Sequence, residues 1–510
     1  MLSKIASYAL VGLDGVPVEV ETDINKGVVS YELVGLPDAA VKESKERIFS
    51  AIRNSALRFP VNRITVNLAP ADIKKEGSQY DLPIAISLLA ASEQLSADTN
   101  GVVMLGELAL DGGLRPVTGI LPILISAKSK GCKKFIVPYG NANEASYIEG
   151  IEVYALKSLR EAYEFLSDIA QFSPVPVKSF DAAKGRSSYN CDLSLVRGQA
   201  IAKRALEIAV AGGHNVLLSG PPGSGKTMLA RCIPTIMPDL TFEEALEITK
   251  VLSVSGELGD EGIVSLRPFR TPHHTASTVS LCGGGNAKIK AGEISKAHRG
   301  VLFMDELPEY TRSALEALRQ PLEDGKITVT RAGGAVTFPA DFILCASMNP
   351  CPCGNLGSSD KACTCAPTQI RKYRSKISGP LLDRIDLQIE VDSVKYEELA
   401  GDGEGEKSSE VKKRVERARA IQRERFFDEE GVTVNADMGE AQIKKYCKLT
   451  PDCEKILRSA FERLHLSARA RSRIIKVART IADLDSSVNI APKHILEAAS
   501  YRNFDSTAEL

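Results

Sequence analysis

Eight consecutive residues, Gly220, Pro221, Pro222, Gly223, Ser224, Gly225, Lys226 and Thr227, match the pattern G-x-x-x-x-G-K-[ST]. That spacing suits a polyphosphate. The glycines let backbone N–H groups wrap phosphate oxygens, the lysine reaches the terminal phosphates, and the hydroxyl after it ligates Mg²⁺. A second group lies downstream, where the apolar run Val301-Leu302-Phe303-Met304 delivers Asp305 and Glu306. Asp305 is expected to hold the same Mg²⁺ and Glu306 to orient and polarise an attacking water. The chemistry expected is therefore hydrolysis of a nucleoside triphosphate.

Two further side chains bear on it. The run FILCASMN at residues 342–349 ends in Asn349, which either helps to position that water or simply starts a loop. In SGPLLDRIDL, at residues 378–387, Arg384 follows a turn. It reaches the γ-phosphate of a neighbouring subunit, or else it pairs at the surface with Asp383 or Asp386, which its spacing alone favours. Cys351, Cys353, Cys363 and Cys365 fall within fifteen residues. Four thiolates are the preferred ligands of a closed, structural Zn²⁺; the alternative is four reduced cysteines in a loop.

Elements must carry these groups. The apolar run before the loop, NVLLSG, reads as a strand, with a helix expected from Met228 whose positive end faces phosphate. Residues 191–392 are thus an α/β core. Before it, residues 1–168 alternate short strands (17–22, 63–68, 102–105, 134–137) with helical patterns (38–55, 82–92, 120–130). Residues 169–190 carry prolines and no periodicity and read as a linker. Residues 393–437 are a charged helical connector, and 438–510 read as helical. The basic run at 410–425 has Val411, Val415 and Ile421 spaced for a helix packed by one face.

The 64 Lys and Arg against 65 Asp and Glu give a net charge of −1, so no global field draws the chain to nucleic acid or membrane. A polyanion site must be a local patch or one repeated by assembly. The apolar runs are too short to span a bilayer. The alternation near the start reads as a strand rather than a signal peptide, so the protein is expected in the cytoplasm with its eleven cysteines reduced or metal-bound.

The stretches RPFRTPHHTAS (267–277), GEISKAHRGVLFMDELPEY (292–310), MNPCPCG (348–354) and SGPLLDRIDL resemble the ComM/YifB family of magnesium-chelatase-like AAA+ ATPases over nearly the whole chain. The resemblance implies Asn349 as sensor 1, Arg384 as the arginine finger and Arg469, with Arg471 and Arg473 close by, as sensor 2 on a helical lid. The 79 residues from Lys226 to Asp305 leave room for an extra hairpin. KITVTRAGGAVTF (326–338) reads as a second one, with Lys326 and Arg331 on it. In this branch such a hairpin faces a ring pore, where six copies make a phosphate-tracking surface.

Residues 77–92 and 104–138 resemble the Lon-protease and RadA C-terminal fold, but Gln79 or Tyr80 stands where the peptidase serine would be and Leu121 where its lysine would be. Ser78, close by, has no matching base. The fold expected is therefore α/β: a catalytically silent Lon-like α/β domain, a P-loop α/β sandwich and a C-terminal helical lid. The function implied is a homo-hexameric motor on single-stranded or branched DNA, a helicase or branch-migration enzyme of recombination and natural transformation. The alternative is a protein-remodelling ATPase, disfavoured by a hairpin with cations and no Tyr or Trp.

Overall fold

Alternating burial builds the first third of the chain. β1 (Leu2–Val11) and β2 (Asp14–Asn25) form an antiparallel hairpin that turns at Gly12, whose φ of +64° suits glycine. β3 (Ser30–Val34), β4 (Arg63–Ala69) and β5 (Val102–Met104) follow. After the small ladder of β6 (Glu107–Leu108) and β7 (Leu114–Arg115) come β8 (Lys134–Pro138) and β9 (Glu152–Leu156). The sheet order is β3-β4-β2-β1-β5-β8-β9. The helix expected over 38–55 is two, Ala39–Lys42 and Ser44–Asn54, separated at Glu43. Helix Asp81–Ala91 is buried almost all round, as its run of Leu, Ile and Ala dictates.

The computed structural model describes residues 2–168, 171–184, 188–285, 289–331, 334–357, 361–393, 405–463 and 467–502. Within the expected linker it places a short helix, Phe180–Lys184. Phe180 is buried beside Phe242 with ring centroids 5.8 Å apart, so one aromatic pins a stretch that lacks periodicity.

The core contains β10 (Val216–Ser219), β11 (Phe269–Arg270), β12 (Gly283–Gly284), β13 (Lys290–Ala291), β14 (Val301–Met304), β15 (Lys326–Arg331), β16 (Gly334–Pro339), β17 (Ile343–Met348) and β18 (Leu387–Glu390). Five of them make a wholly parallel sheet in the order β11-β14-β17-β10-β18. Every residue of β10, β14 and β17 is buried, which is why these strands are continuous apolar runs rather than alternating ones. β12/β13 and β15/β16 leave the sheet as hairpins, the first between Lys226 and Asp305.

Helix Ser408–Arg425 buries Val411, Val415, Ala418 and Gln422, so the basic run packs by one face. The helices that follow, from Glu440–Tyr446 to Pro492–Ser500, share one apolar cluster with it and with the P-loop helix Lys226–Ile236. The first domain meets the core through Glu144, a buried carboxylate that accepts hydrogen bonds from Leu121 N (3.0 Å) and the Ser253 hydroxyl. No described helix is long and apolar enough to cross a membrane.

Candidate nucleotide site

The expected phosphate loop, Asp305, Glu306 and Asn349 all lie at the carboxyl ends of adjacent strands. The loop leaves β10, and Gly223 and Gly225 take φ of +81° and +86°. Gly220 is required for another reason: a Cβ there would lie 2.1 Å from the Val391 carbonyl oxygen. The helix starts at Lys226, two residues earlier than its sequence suggests. The Lys226 ammonium donates to the carbonyls of Gly220 (2.7 Å) and Pro221 (2.8 Å). Burial pulls its pKa down, while Asp305 and Glu306 act in the opposite sense.

Thr227 Oγ1 lies 3.3 Å from Asp305 Oδ2, so hydroxyl and carboxylate converge as a Mg²⁺ site needs. The other Asp305 oxygen accepts from the Ser347 hydroxyl and from Glu306 N (3.1 Å). Ser347 was not singled out by the sequence; its signal is its position two residues before Asn349 on the strand beside β14. Glu306 adopts φ +52°, ψ +49°, which turns its side chain out of the β14 line. Its Oε2 is 3.3 Å from His274 Nδ1. Asn349, half-buried just after β17, lines the same open cleft as Glu306 and Cys353.

The four cysteines come together. Cys351 Sγ is 3.4 Å from Cys353 Sγ and 3.6 Å from Cys363 Sγ, and the ligand atoms of all four lie within 4.8 Å of one another. Tetrahedral thiolates at Zn–S of about 2.3 Å stand about 3.8 Å apart. The donor set therefore fits Zn²⁺. The loop also touches the phosphate loop, since a Cβ on Gly354 would lie 2.7 Å from Pro222 Cδ.

The arginines sit at the other end of the sheet. Arg384, Arg469, Arg473 and Lys476 line a cavity of about 300 Å³ together with Asn215, Phe342 and Asp386, which precede β10, β17 and β18. Four-residue strands at about 3.3 Å per residue put about 10 Å between that edge and the phosphate loop. Arg384 pairs with neither Asp383 nor Asp386. It donates to Pro380 O (2.8 Å) and to Glu323, and its Nε has no partner among the described residues. Asp386 is occupied by Arg473 (2.5 Å) and by His214 Nδ1 (3.2 Å), whose Nε2 meets Thr480 Oγ1 at 2.8 Å. Against the upward push of burial, Arg473 and His214 hold the Asp386 carboxyl well below the usual carboxylate range. Arg469 is exposed at the cavity rim, and Arg471 turns away to Glu454 (3.3 Å).

The hairpin cations are separated. Lys326 is exposed at the foot of the stem opposite Pro339; Arg331 ends β15 opposite Gly334, and its side chain lies outside the described residues. Phe338, the aromatic of this stem, is buried in the core. In the first domain, Tyr80 and Leu121 are fully buried, and the Ser78 hydroxyl donates to Glu107.

Three stretches match known families: residues 192–399 the magnesium chelatase subunit ChlI, residues 20–141 subunit ChlI of Mg-chelatase, and residues 405–502 the ChlI C-terminal family. The chain is 44% identical to the uncharacterized protein YifB of Escherichia coli over 99% of its own length and 97% of the relative's. It is 43% identical to competence protein ComM of Haemophilus influenzae over 98% and 97% of the two chains. A shorter likeness, 29% over 161 residues (30% of this chain, 28% of the relative), is to Lon protease 2 of Bacillus subtilis.

Proposed function

We propose the following activity for a chain that belongs to the ComM/YifB family of magnesium-chelatase-like AAA+ proteins: it is an ATP-hydrolysing ring motor that acts on DNA. The observation that carries this reading is the split of the site between the two ends of one parallel sheet. The phosphate loop, Asp305, Glu306 and Asn349 occupy one end. Arg384 and Arg469 occupy the other, too far to serve the same nucleotide, so they serve a neighbour's. A closed ring, here a homo-hexamer, gives every nucleotide both halves.

In that assembly Lys226 and Thr227 bind the phosphates of ATP, with Asp305 and Thr227 as the protein ligands of Mg²⁺. When bound, the metal neutralises charge that develops on the β- and γ-phosphates. Glu306 takes the proton of the attacking water, which Asn349 helps to place. Arg384 and Arg469 of the adjacent subunit stabilise the transition-state charge. Cys351, Cys353, Cys363 and Cys365 hold a structural Zn²⁺ that braces the loop between Asn349 and Arg384. Hydrolysis at successive interfaces moves the hairpins, and Arg331, supported by Lys326, follows the phosphates of a single strand.

The division at 1–168, 169–190, 191–392, 393–437 and 438–510 then has a working meaning: silent Lon-like scaffold, linker, motor, connector and lid. The name of the Haemophilus influenzae relative supports a place in the uptake of DNA, where a branch-migrating helicase would extend recombination in the cytoplasm. The competing reading is remodelling of a protein client, whose pore usually carries an aromatic-apolar grip. The test is migration of a labelled three-strand junction by purified protein with ATP, beside Glu306→Gln. Movement by the wild type alone supports a DNA motor; ATP turnover with no movement and no response to forked DNA favours a protein client.

A further inference from the structure

The backbone of Arg384 is held by a side chain that lies far from it in sequence. Its carbonyl accepts a hydrogen bond from Asn215 Nδ2 at 2.9 Å, across 169 residues. The other atom of the same amide, Oδ1, accepts from Leu344 N at 2.8 Å. We infer that Asn215 is a positioning residue that sets where the Arg384 guanidinium stands at the subunit interface. The inference rests on Arg384 as the arginine lent to a neighbour's nucleotide.

The surroundings of Arg384 show why such a clamp matters. The residue lies in the short turn between helix Gly379–Leu382 and β18. Its N–H donates to Leu381 O at 2.9 Å and its Nη1 to Pro380 O at 2.8 Å, and both bonds hold it to the end of that helix. The bond from Asn215 ties it to the sheet instead. Half-buried Asn215 directly precedes β10, and Leu344 lies in β17 alongside. One planar amide thus joins Arg384 to the amino ends of the two strands whose carboxyl ends carry the phosphate loop and Asn349. β10 is only four residues long, so the clamp and the phosphate loop are the two ends of one short strut.

Asparagine suits this place because one rigid group offers both a donor and an acceptor; aspartate has the same shape but, ionised, only accepts. The backbone carbonyl of Asn215 accepts from Asp386 N (3.1 Å) and Leu387 N (3.0 Å), and those bonds survive any change of side chain. Asn215→Asp therefore removes one hydrogen bond and keeps the strand pairing. The added charge falls in the cavity that Arg473 and Lys476 also line. With its carbonyl released, the Arg384 backbone shifts and the guanidinium moves with it. A displacement of about 1 Å in a group that must meet a transition state costs about 10²-fold in rate.

The test is steady-state ATP turnover of full-length Asn215→Asp, alone and in rings mixed with Lys226→Ala or with Arg384→Ala subunits. Its kcat should fall by about tenfold to a hundredfold, with the affinity of the isolated chain for a fluorescent ADP analogue unchanged. Lys226→Ala subunits, whose cationic end is intact, should restore turnover to the mixture; Arg384→Ala subunits should not. An unchanged kcat, a parallel loss of nucleotide affinity, or rescue by neither partner overturns the inference, provided that Lys226→Ala and Arg384→Ala rescue each other. Should Asn215→Asp fail to fold, Asn215→Ala, which brings no charge, is read in the same way; if both fail, the residue is structural and the inference falls. Arg384→Ala alone separates the two readings. If it is fully active, the finger is misassigned and both fall; if it is inactive while Asn215→Asp turns over normally, only the positioning role falls.

Discussion

The two ends of the core sheet are built differently. At the carboxyl ends the polar groups close on one another: Lys226 on loop carbonyls, Thr227 and Ser347 on Asp305, His274 on Glu306. At the amino ends the cations Arg384, Arg469, Arg473 and Lys476 share one cavity, and the Arg384 Nε has no partner among the described residues. Neither end is a complete hydrolytic site. In the proposed reading one binds the nucleotide and places a water, and the other lends Arg384 and Arg469 from a cavity that Glu323, Asp341, Asp383, Asp386 and Asp437 also line. In the ring proposed above, two unlike halves on one chain would let each interface join one half of each kind.

The comparison can be broken most severely at Lys226. Lys226→Ala should lower ATP turnover by at least about 10³-fold and weaken nucleotide binding. Arg384→Ala should cost about 10³-fold in turnover, the low end for an arginine finger, yet leave the nucleotide affinity of the isolated chain unchanged by equilibrium titration. Equal loss of binding in both variants would erase the distinction between the ends.

Asp386→Asn tests the floor of the cationic end. It leaves Arg473 and His214 without their charged partner, so it should lower stability by about 3 kcal/mol, read as a fall in Tm. Because the folded carboxyl titrates below its ordinary range, its contribution is complete above about pH 4 and disappears as the pH falls through the folded value. The gap in Tm between wild type and variant should therefore narrow in acid. Metal analysis should find about one Zn²⁺ per chain. Its removal by a chelator should lower Tm and ATP turnover together, since the loop bears on Pro222. The smallest effect belongs to Lys326. At the foot of its hairpin, Lys326→Ala should reduce the salt slope of DNA binding by less than one ion, whereas Arg331→Ala should reduce it by about one.

Much of the carboxyl end was legible because it is local. Gly220 to Thr227, and Met304 with Asp305 and Glu306, each keep strand, loop and chemistry within a few residues. The four cysteines were legible for the same reason. What escaped depends on pairing across the chain. Ser347 meets Asp305 only because β14 and β17 are neighbours in register. His274 meets Glu306 across thirty-two residues of insertion. The network of His214, Asp386, Arg473 and Thr480 is drawn from three separate segments, so spacing pointed Arg384 to Asp383 or Asp386 when Glu323 is its partner. In the first domain β2 and β4 showed themselves by alternation and β8 as a short apolar run, whereas β1, with Ile5, Ser7, Tyr8 and Ala9 buried, had no regular alternation to mark it. The helix at Phe180–Lys184 carries too few apolar residues for a period and is held by Phe180 alone.

The most direct test of the split site is to mix two inactive variants. Lys226→Ala subunits keep the cationic end, and Arg384→Ala subunits keep the phosphate end. ATP turnover should be negligible in each alone and should recover in a mixture, because some interfaces then join two intact halves. No recovery in mixed rings shown to have exchanged subunits, or full activity of Arg384→Ala alone, would contradict the account.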